Sequence, residues 1–107
     1  MTTIRDWNIQ ALTGYVPKTT FYRDFSIADR FGESAIKDTF SRCFKSWKNN
    51  VEYLTELAMA MNWKMWEHYD TNPAYGRLYQ SLWEKVDGYA TENLKGEDLT
   101  YYFRTTD

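Results

Sequence analysis

The sequence predicts an all-α fold, a bundle of three main helices with an extended N-terminal arm and an aromatic C-terminal tail. Apolar residues recur at spacings of three and four along two long segments. A further segment, residues 57–66, is apolar on nearly every side, which is typical of the central helix of a bundle. Aromatic residues make up 19% of the 107-residue chain, so one domain of this size can fill a core.

Residues 1–25 lack helical periodicity and are predicted to form the arm, either simply extended or as a short pair of strands, with aromatic side chains packed on the body of the protein. The domain itself is predicted to span residues 26–107. It begins with a capping box, in which Ser26 is the N-cap and Asp29 is the acid three residues later. The short helix that follows is expected to end at Gly32.

Three longer helices are predicted after this short one. The first covers about residues 33–48 and the second about residues 51–69. The third begins with Asn72 as N-cap and Pro73 in the first turn, and it ends near Gly96. Its core face carries apolar and aromatic side chains, namely Tyr75, Leu78, Tyr79, Leu82, Val86, Tyr89 and Ala90. The aromatic tail is expected to fold back onto these helices.

Charge and cysteine content narrow the functional class. A net charge of −2 gives no field strong enough to attract a polyanion, so free nucleic acid is expected to bind weakly or not at all. The single thiol, Cys43, excludes an internal disulfide, and the N-terminus lacks the apolar run of a signal peptide. The longest nearly apolar stretch, residues 57–61, is too short to span a membrane. We therefore expect a cytoplasmic protein.

No set of residues with the spacing of a catalytic or metal site is apparent. His68 is the only histidine and Cys43 is the only thiol, in a different predicted helix, so zinc would lack ligands. We expect His68 at the surface or at a helix end, since a cationic side chain is favoured near a helix C-terminus, and Cys43 as a buried small apolar residue. The prediction is no enzyme, no metal and no cofactor. A pocket that brings His68 together with two or more acids would argue against it.

Three lysines of the first long helix fall on one arc of its surface, Lys37, Lys45 and Lys48. Such an arc is typical of an ordinary amphipathic helix, and it could also contact nucleic-acid phosphates. The last third of the chain is rich in acids, which form either a solvated face or a docking patch.

The aromatic excess also allows two interpretations. In the second long helix, Trp63, Trp66 and Tyr69 lie outside the main apolar arc. They either pack on a neighbouring helix or stay exposed as anchors of a protein interface. The candidate protein-binding surface joins aromatic residues to the acids of the last helix and tail: Tyr79, Trp83, Glu84, Asp87, Glu97, Asp98 and Tyr102. Trp83 follows the core residue Leu82 and should be partly exposed.

Five segments carry a resemblance to a known family. They are FSIADRFG (25–32), YLTEL (53–57), NWKMW (62–66), NLKGEDL (93–99) and RTTD (104–107). Over roughly residues 20–107 the chain resembles a family of small uncharacterised proteins carried by bacterial conjugative elements and prophages. The family supplies no catalytic residues that could be carried over to this chain.

The resemblance implies an accessory role in transfer, regulation or counter-defence, and anti-CRISPR and anti-restriction proteins are commonly small and non-enzymatic. The resulting prediction is a protein-binding inhibitor of a host protein, most concretely an anti-CRISPR protein that blocks an effector nuclease. An acidic patch could occupy the basic DNA-binding channel of such a nuclease. The alternative is a DNA-binding accessory or regulatory protein of the mobile element, using the lysine arc.

Overall fold

The computed structural model describes residues 18–106, which form five α-helices. These are α1 (Phe21–Ala28), α2 (Glu33–Trp47), α3 (Val51–His68), α4 (Pro73–Asn93) and α5 (Glu97–Thr106), with a 3₁₀ turn (Asp29–Phe31) between α1 and α2. No strand occurs within residues 18–106. The all-α fold class is therefore confirmed. Two shorter helices accompany the three long ones. Helix α1 begins within the predicted arm and overlaps the short helix predicted from Ser26, and α5 forms in the segment predicted as the tail.

Helix α1 corrects the prediction of an extended arm up to residue 25. The helix begins at Phe21, and Ser26 lies inside it, where its hydroxyl donates to the carbonyl oxygen four residues earlier at 2.9 Å. Ser26 is therefore not an N-cap. Phe21, Phe25 and Ala28, spaced by four and three residues, bury one face of α1, and this burial explains why the segment is helical. The rest of the predicted arm, residues 1–17, lies outside the described residues.

The start of α1 is attached to α3 by Glu56, a buried carboxylate. Glu56 accepts hydrogen bonds from the backbone N–H groups of Lys18 and Thr19 at 2.7 and 2.9 Å, and from the Thr19 hydroxyl at 2.7 Å. A buried carboxylate needs such donors, and donors ahead of a helix need acceptors. The position of α1 on α3 is thus set by charge-assisted hydrogen bonds as well as by apolar packing.

Helix α3 is the central element, as the sequence predicts. It contacts each of the other four helices, most extensively α4. Leu57, Ala58 and Met61 have no exposed surface. Asn50 and Asn72 are the N-caps of α3 and α4. Each side chain accepts a hydrogen bond from the backbone N–H three residues later, at 3.1 and 3.2 Å.

The C-terminal segment forms a helix that packs on the body. Gly96 has a φ of 59°, a left-handed conformation that glycine adopts without strain, and it separates α4 from α5. Tyr102 of α5 is fully buried against the core. Among residues 18–106, no helix is long and apolar enough to cross a membrane.

Candidate functional site

The most unusual feature of the core is a buried lysine. Lys64 lies in the C-terminal third of α3 and has 0% exposed surface. Its ammonium is 2.7 Å from Asp29 Oδ2, 2.7 Å from Glu67 Oε2 and 3.1 Å from Ser26 Oγ. An ammonium has three N–H donors and no acceptor, so these three oxygens satisfy it completely. The Tyr22 and Tyr79 rings lie 5.1 and 5.9 Å from the ammonium and add cation–π attraction.

Asp29, in the 3₁₀ turn, is the acceptor on which several donors converge. Besides Lys64, His68 Nε2 lies 2.8 Å from Asp29 Oδ2, and the Tyr79 hydroxyl donates to Oδ1 at 2.5 Å. An ionised carboxylate only accepts, so Nε2 of His68 carries the hydrogen. The Tyr75 hydroxyl also donates to the backbone oxygen of Asp29 at 3.3 Å. The turn is thereby fixed to both α3 and α4.

Glu67 and His68 complete the arrangement at the end of α3. Glu67 accepts a hydrogen bond from the Tyr22 hydroxyl of α1 and lies 4.0 Å from His68 Nε2. The His68 ring stacks on the Tyr79 ring, with centroids 5.7 Å apart. We refer to Asp29, Lys64, Glu67 and His68 as the buried ion cluster. His68 is the last residue of α3, as expected for a histidine at a helix end, but its ring is mostly buried between the turn and α4 and does not lie at the surface.

Burial and hydrogen bonding act in opposite directions on Asp29. Burial alone would raise the pKa of this carboxyl group, but hydrogen bonds from His68, Lys64 and Tyr79 favour the charged form and lower the pKa overall. Burial first, and the hydrogen bond to Asp29 second, raise the pKa of the Tyr79 hydroxyl far above its ordinary value. The Tyr79 hydroxyl therefore stays a proton donor at physiological pH.

A metal ion would compete with Lys64 for this site. Asp29, Glu67 and His68 each place a ligand atom within 4.8 Å of the others. However, the Lys64 ammonium already holds both carboxylates at 2.7 Å, so a metal would have to displace a buried positive charge. His68 does meet two acids here, the arrangement that would argue for an enzyme. The polar atoms of Asp29, Glu67 and His68 form contacts with one another and with Lys64, and this mutual pairing favours a structural role. The absence of an enzyme activity stays a prediction.

The sequence contained one signal for this cluster. Lys64 interrupts a segment that is apolar on nearly every side. Because a helix of this kind has no face exposed to solvent, a lysine within it is expected to be buried. The spacing to Glu67 and His68, three and four residues on, places all three on one side of α3. Asp29 gave no comparable signal, because an acid three residues after a serine is also the pattern of a capping box.

Two residues of the predicted protein-binding surface are in the core. Tyr79 and Tyr102 have no exposed surface. Asp87 is half-buried, and its Oδ1 accepts a hydrogen bond from the Tyr102 hydroxyl at 3.3 Å. Part of its hydrogen-bonding capacity is therefore used within the protein. The prediction of Tyr79 and Tyr102 as exposed contacts is wrong, because α4 turns one toward α1 and α5 folds the other inward. Trp83 is half-buried against the core, in agreement with its predicted partial exposure.

The acids of that surface are exposed but divided. Glu84 lines a groove between α2 and α4, whereas Glu97 and Asp98 line a different groove between α3 and α5. A partner that contacts one groove therefore need not contact the other. The predicted acidic patch consists of two smaller acidic sites in the structure.

The lysine arc of α2 is also divided. Lys37 and Lys45 are exposed. Lys48 is half-buried, and its ammonium lies 5.9 Å from the Phe44 ring and 5.7 Å from the Tyr89 ring. Lys48 thus packs against aromatic faces of α2 and α4, which leaves two of the three lysines fully available to phosphates.

Cys43 is half-buried and lines a groove between α1 and α2. Burial, and then the charge of Asp24 across the groove, raise the pKa of the Cys43 thiol. A raised pKa lowers the thiolate fraction and disfavours a nucleophilic role.

The alternatives for Trp63, Trp66 and Tyr69 are resolved individually, and Tyr69 directly follows the last residue of α3. Trp63 is buried. In contrast, Trp66 is 42% exposed and Tyr69 is 61% exposed, with ring centroids 5.3 Å apart.

Comparisons of the chain with protein-family models, with curated proteins and with solved structures find no match.

Proposed function

We propose that this protein acts by binding another protein through the aromatic pair Trp66 and Tyr69. The observation that carries the proposal is the exposure of two adjacent large rings at the end of α3, 42% and 61%, although most other aromatic side chains among residues 18–106 are buried or half-buried. Trp and Tyr are the residue types most enriched among interface hot spots. Neighbouring exposed rings are a typical anchor for a partner protein.

The buried ion cluster supports this role, because it holds the helix end that carries the pair. Glu67 and His68 lie between Trp66 and Tyr69 in the chain, and both are fixed by contacts to α1, the 3₁₀ turn or α4. A surface that is rigid before binding loses less conformational entropy on association.

We further propose that the partner is a host protein and that binding inhibits it, most concretely as an anti-CRISPR protein acting on an effector nuclease. The resemblance to proteins of conjugative elements and prophages supports this choice. The exposed acids Glu97 and Asp98 add negative charge that would speed association with a basic DNA channel. The alternative of a DNA-binding regulator has less support, since only Lys37 and Lys45 of the lysine arc are fully exposed.

The test is a cleavage-inhibition assay with a panel of purified effector nucleases, followed by variants against any nuclease that the parent inhibits. Trp66→Ala and Tyr69→Ala should each weaken inhibition at least about tenfold, as truncation of interface anchors does. Trp47→Ala is the matched control, because Trp47 is a tryptophan of nearly equal exposure, 39%, on α2. The control should inhibit like the parent.

Either of two results would overturn the proposal. One is that the folded Trp66→Ala and Tyr69→Ala variants inhibit as well as the parent. The other is that the parent inhibits no nuclease but binds duplex DNA with sub-micromolar affinity at about 0.15 M salt, measured by fluorescence anisotropy, which would favour the DNA-binding alternative.

A further inference from the structure

A second surface, distinct from the aromatic pair, is the groove between α1 and α2. Its floor is made of small side chains, Ala28, Ala35 and Cys43, and its rim carries Ile27 and Phe31. Small residues at the floor leave space for a large side chain from outside. We call this surface the α1–α2 groove.

Phe31 is the most exposed large apolar residue of residues 18–106, at 74%. Phe31 nonetheless has an anchored backbone. It ends the 3₁₀ turn that Asp29 fixes to Lys64, His68 and Tyr79, and Gly32, with a φ of 101°, follows it. An exposed aromatic side chain on an anchored backbone is suited to insert into a hole on a partner.

We propose that the α1–α2 groove binds Phe31 of a second copy of this chain, forming a two-fold symmetric dimer. A two-fold interface uses the same patch on both subunits, so the patch must be complementary to itself. The groove meets this condition, because a projecting ring and a floor of small residues lie on one surface. Each copy can therefore donate a ring and accept one.

The charges at the groove are also self-complementary. Asp24 and Asp38 provide negative charge, and Arg42 provides positive charge, on the same surface. Arg42 Nε pairs with Asp38 Oδ2 at 3.2 Å, but both side chains remain about 70% exposed, so they can also reach acids and bases of a second copy.

Sedimentation velocity across protein concentrations from about 5 to about 500 μM tests the proposal. A small interface of this kind is expected to give a dissociation constant on the order of 10–100 μM. Phe31→Ala should raise it at least about tenfold. Phe103→Ala, which removes another exposed phenylalanine from α5, is the matched control and should leave it unchanged.

A second readout uses the thiol in the groove. In a dimer Cys43 is covered, so its rate of reaction with a thiol reagent should fall as protein concentration rises. This dependence should disappear in Phe31→Ala. Ala35→Leu fills the floor from within and should also weaken association, although Phe31 is intact.

The proposal is overturned if the parent is monomeric at all concentrations, or if Phe31→Ala and Phe103→Ala associate alike. It does not depend on the proposed function, because the aromatic pair on α3 is not part of the α1–α2 groove. A dimer whose folded Trp66→Ala and Tyr69→Ala variants inhibit as well as the parent would refute only the proposed function, and a monomeric inhibitor would refute only the dimer.

Discussion

Replacing Lys64 with methionine tests whether the buried ion cluster stabilises the fold. Methionine has a similar length and can fill the same space, but it cannot donate to Asp29, Glu67 and Ser26. Two carboxylates would then share a mostly buried site without the ammonium that holds both at 2.7 Å. Removing one partner of a buried ion pair typically costs about 3–5 kcal/mol.

The lower part of this range applies here, because Asp29 keeps its hydrogen bonds from His68 and Tyr79. We therefore expect Lys64→Met to lower the free energy of unfolding by about 3 kcal/mol at pH 7. Chemical denaturation followed by circular dichroism measures this difference. Lys45→Met, which makes the same change at an exposed position of α2, should alter stability by no more than about 0.5 kcal/mol.

A double-mutant cycle separates the ionic contribution from packing. In an Asp29→Asn background, the cost of Lys64→Met should shrink by about 0.5–3 kcal/mol, because one of the uncompensated charges is already absent. The reasoning is refuted if the free energy of unfolding of Lys64→Met lies within about 1 kcal/mol of that of the parent. Desolvation of the three charges would then cancel their attraction, and the cluster would specify geometry without adding stability.

Two further predictions concern single side chains. The folded state lowers the pKa of Asp29 below its unfolded value of about 3.9, so its contribution to stability is fully present above about pH 4 and is lost as pH falls through the folded pKa. The stability difference between parent and Asp29→Asn should therefore narrow between about pH 5 and pH 2, and a constant difference would contradict this. Tyr102→Ala should cost about 3–5 kcal/mol because the ring is fully buried, whereas Tyr102→Phe, which loses only a 3.3 Å hydrogen bond to Asp87, should cost about 1 kcal/mol. Equal costs in urea denaturation would show that the hydroxyl, and not the ring, carries the stabilisation.

Periodicity alone was sufficient for the long helices. The apolar run 57–66 placed α3 at the centre, since a helix that is apolar on most sides is stable only when neighbours cover it. Local signals also located the start of α4, because Asn72 and Pro73 act within one turn and need no distant partner.

The residues near α1 show why other features required the structure. Phe21 and Phe25 favour a helix because α3 buries them. The local sequence around them does not include α3, so it predicted an extended arm. Ser26 and Asp29 matched a capping box locally, yet their real partner is Lys64, far along the chain. Sequence spacing carries no information on which distant charge a side chain will meet.

The sequence by itself determined the fold class, the central helix and the excess of aromatic side chains over what a small core commonly uses. Only the tertiary structure decided which aromatics remained exposed. Tyr79 and Tyr102 entered the core, while Phe31, Trp66 and Tyr69 stayed in solvent. The physical reason is that burial depends on where neighbouring helices dock. Each helix has an apolar face that its own sequence defines, but the area covered on that face is set by residues distant in the chain.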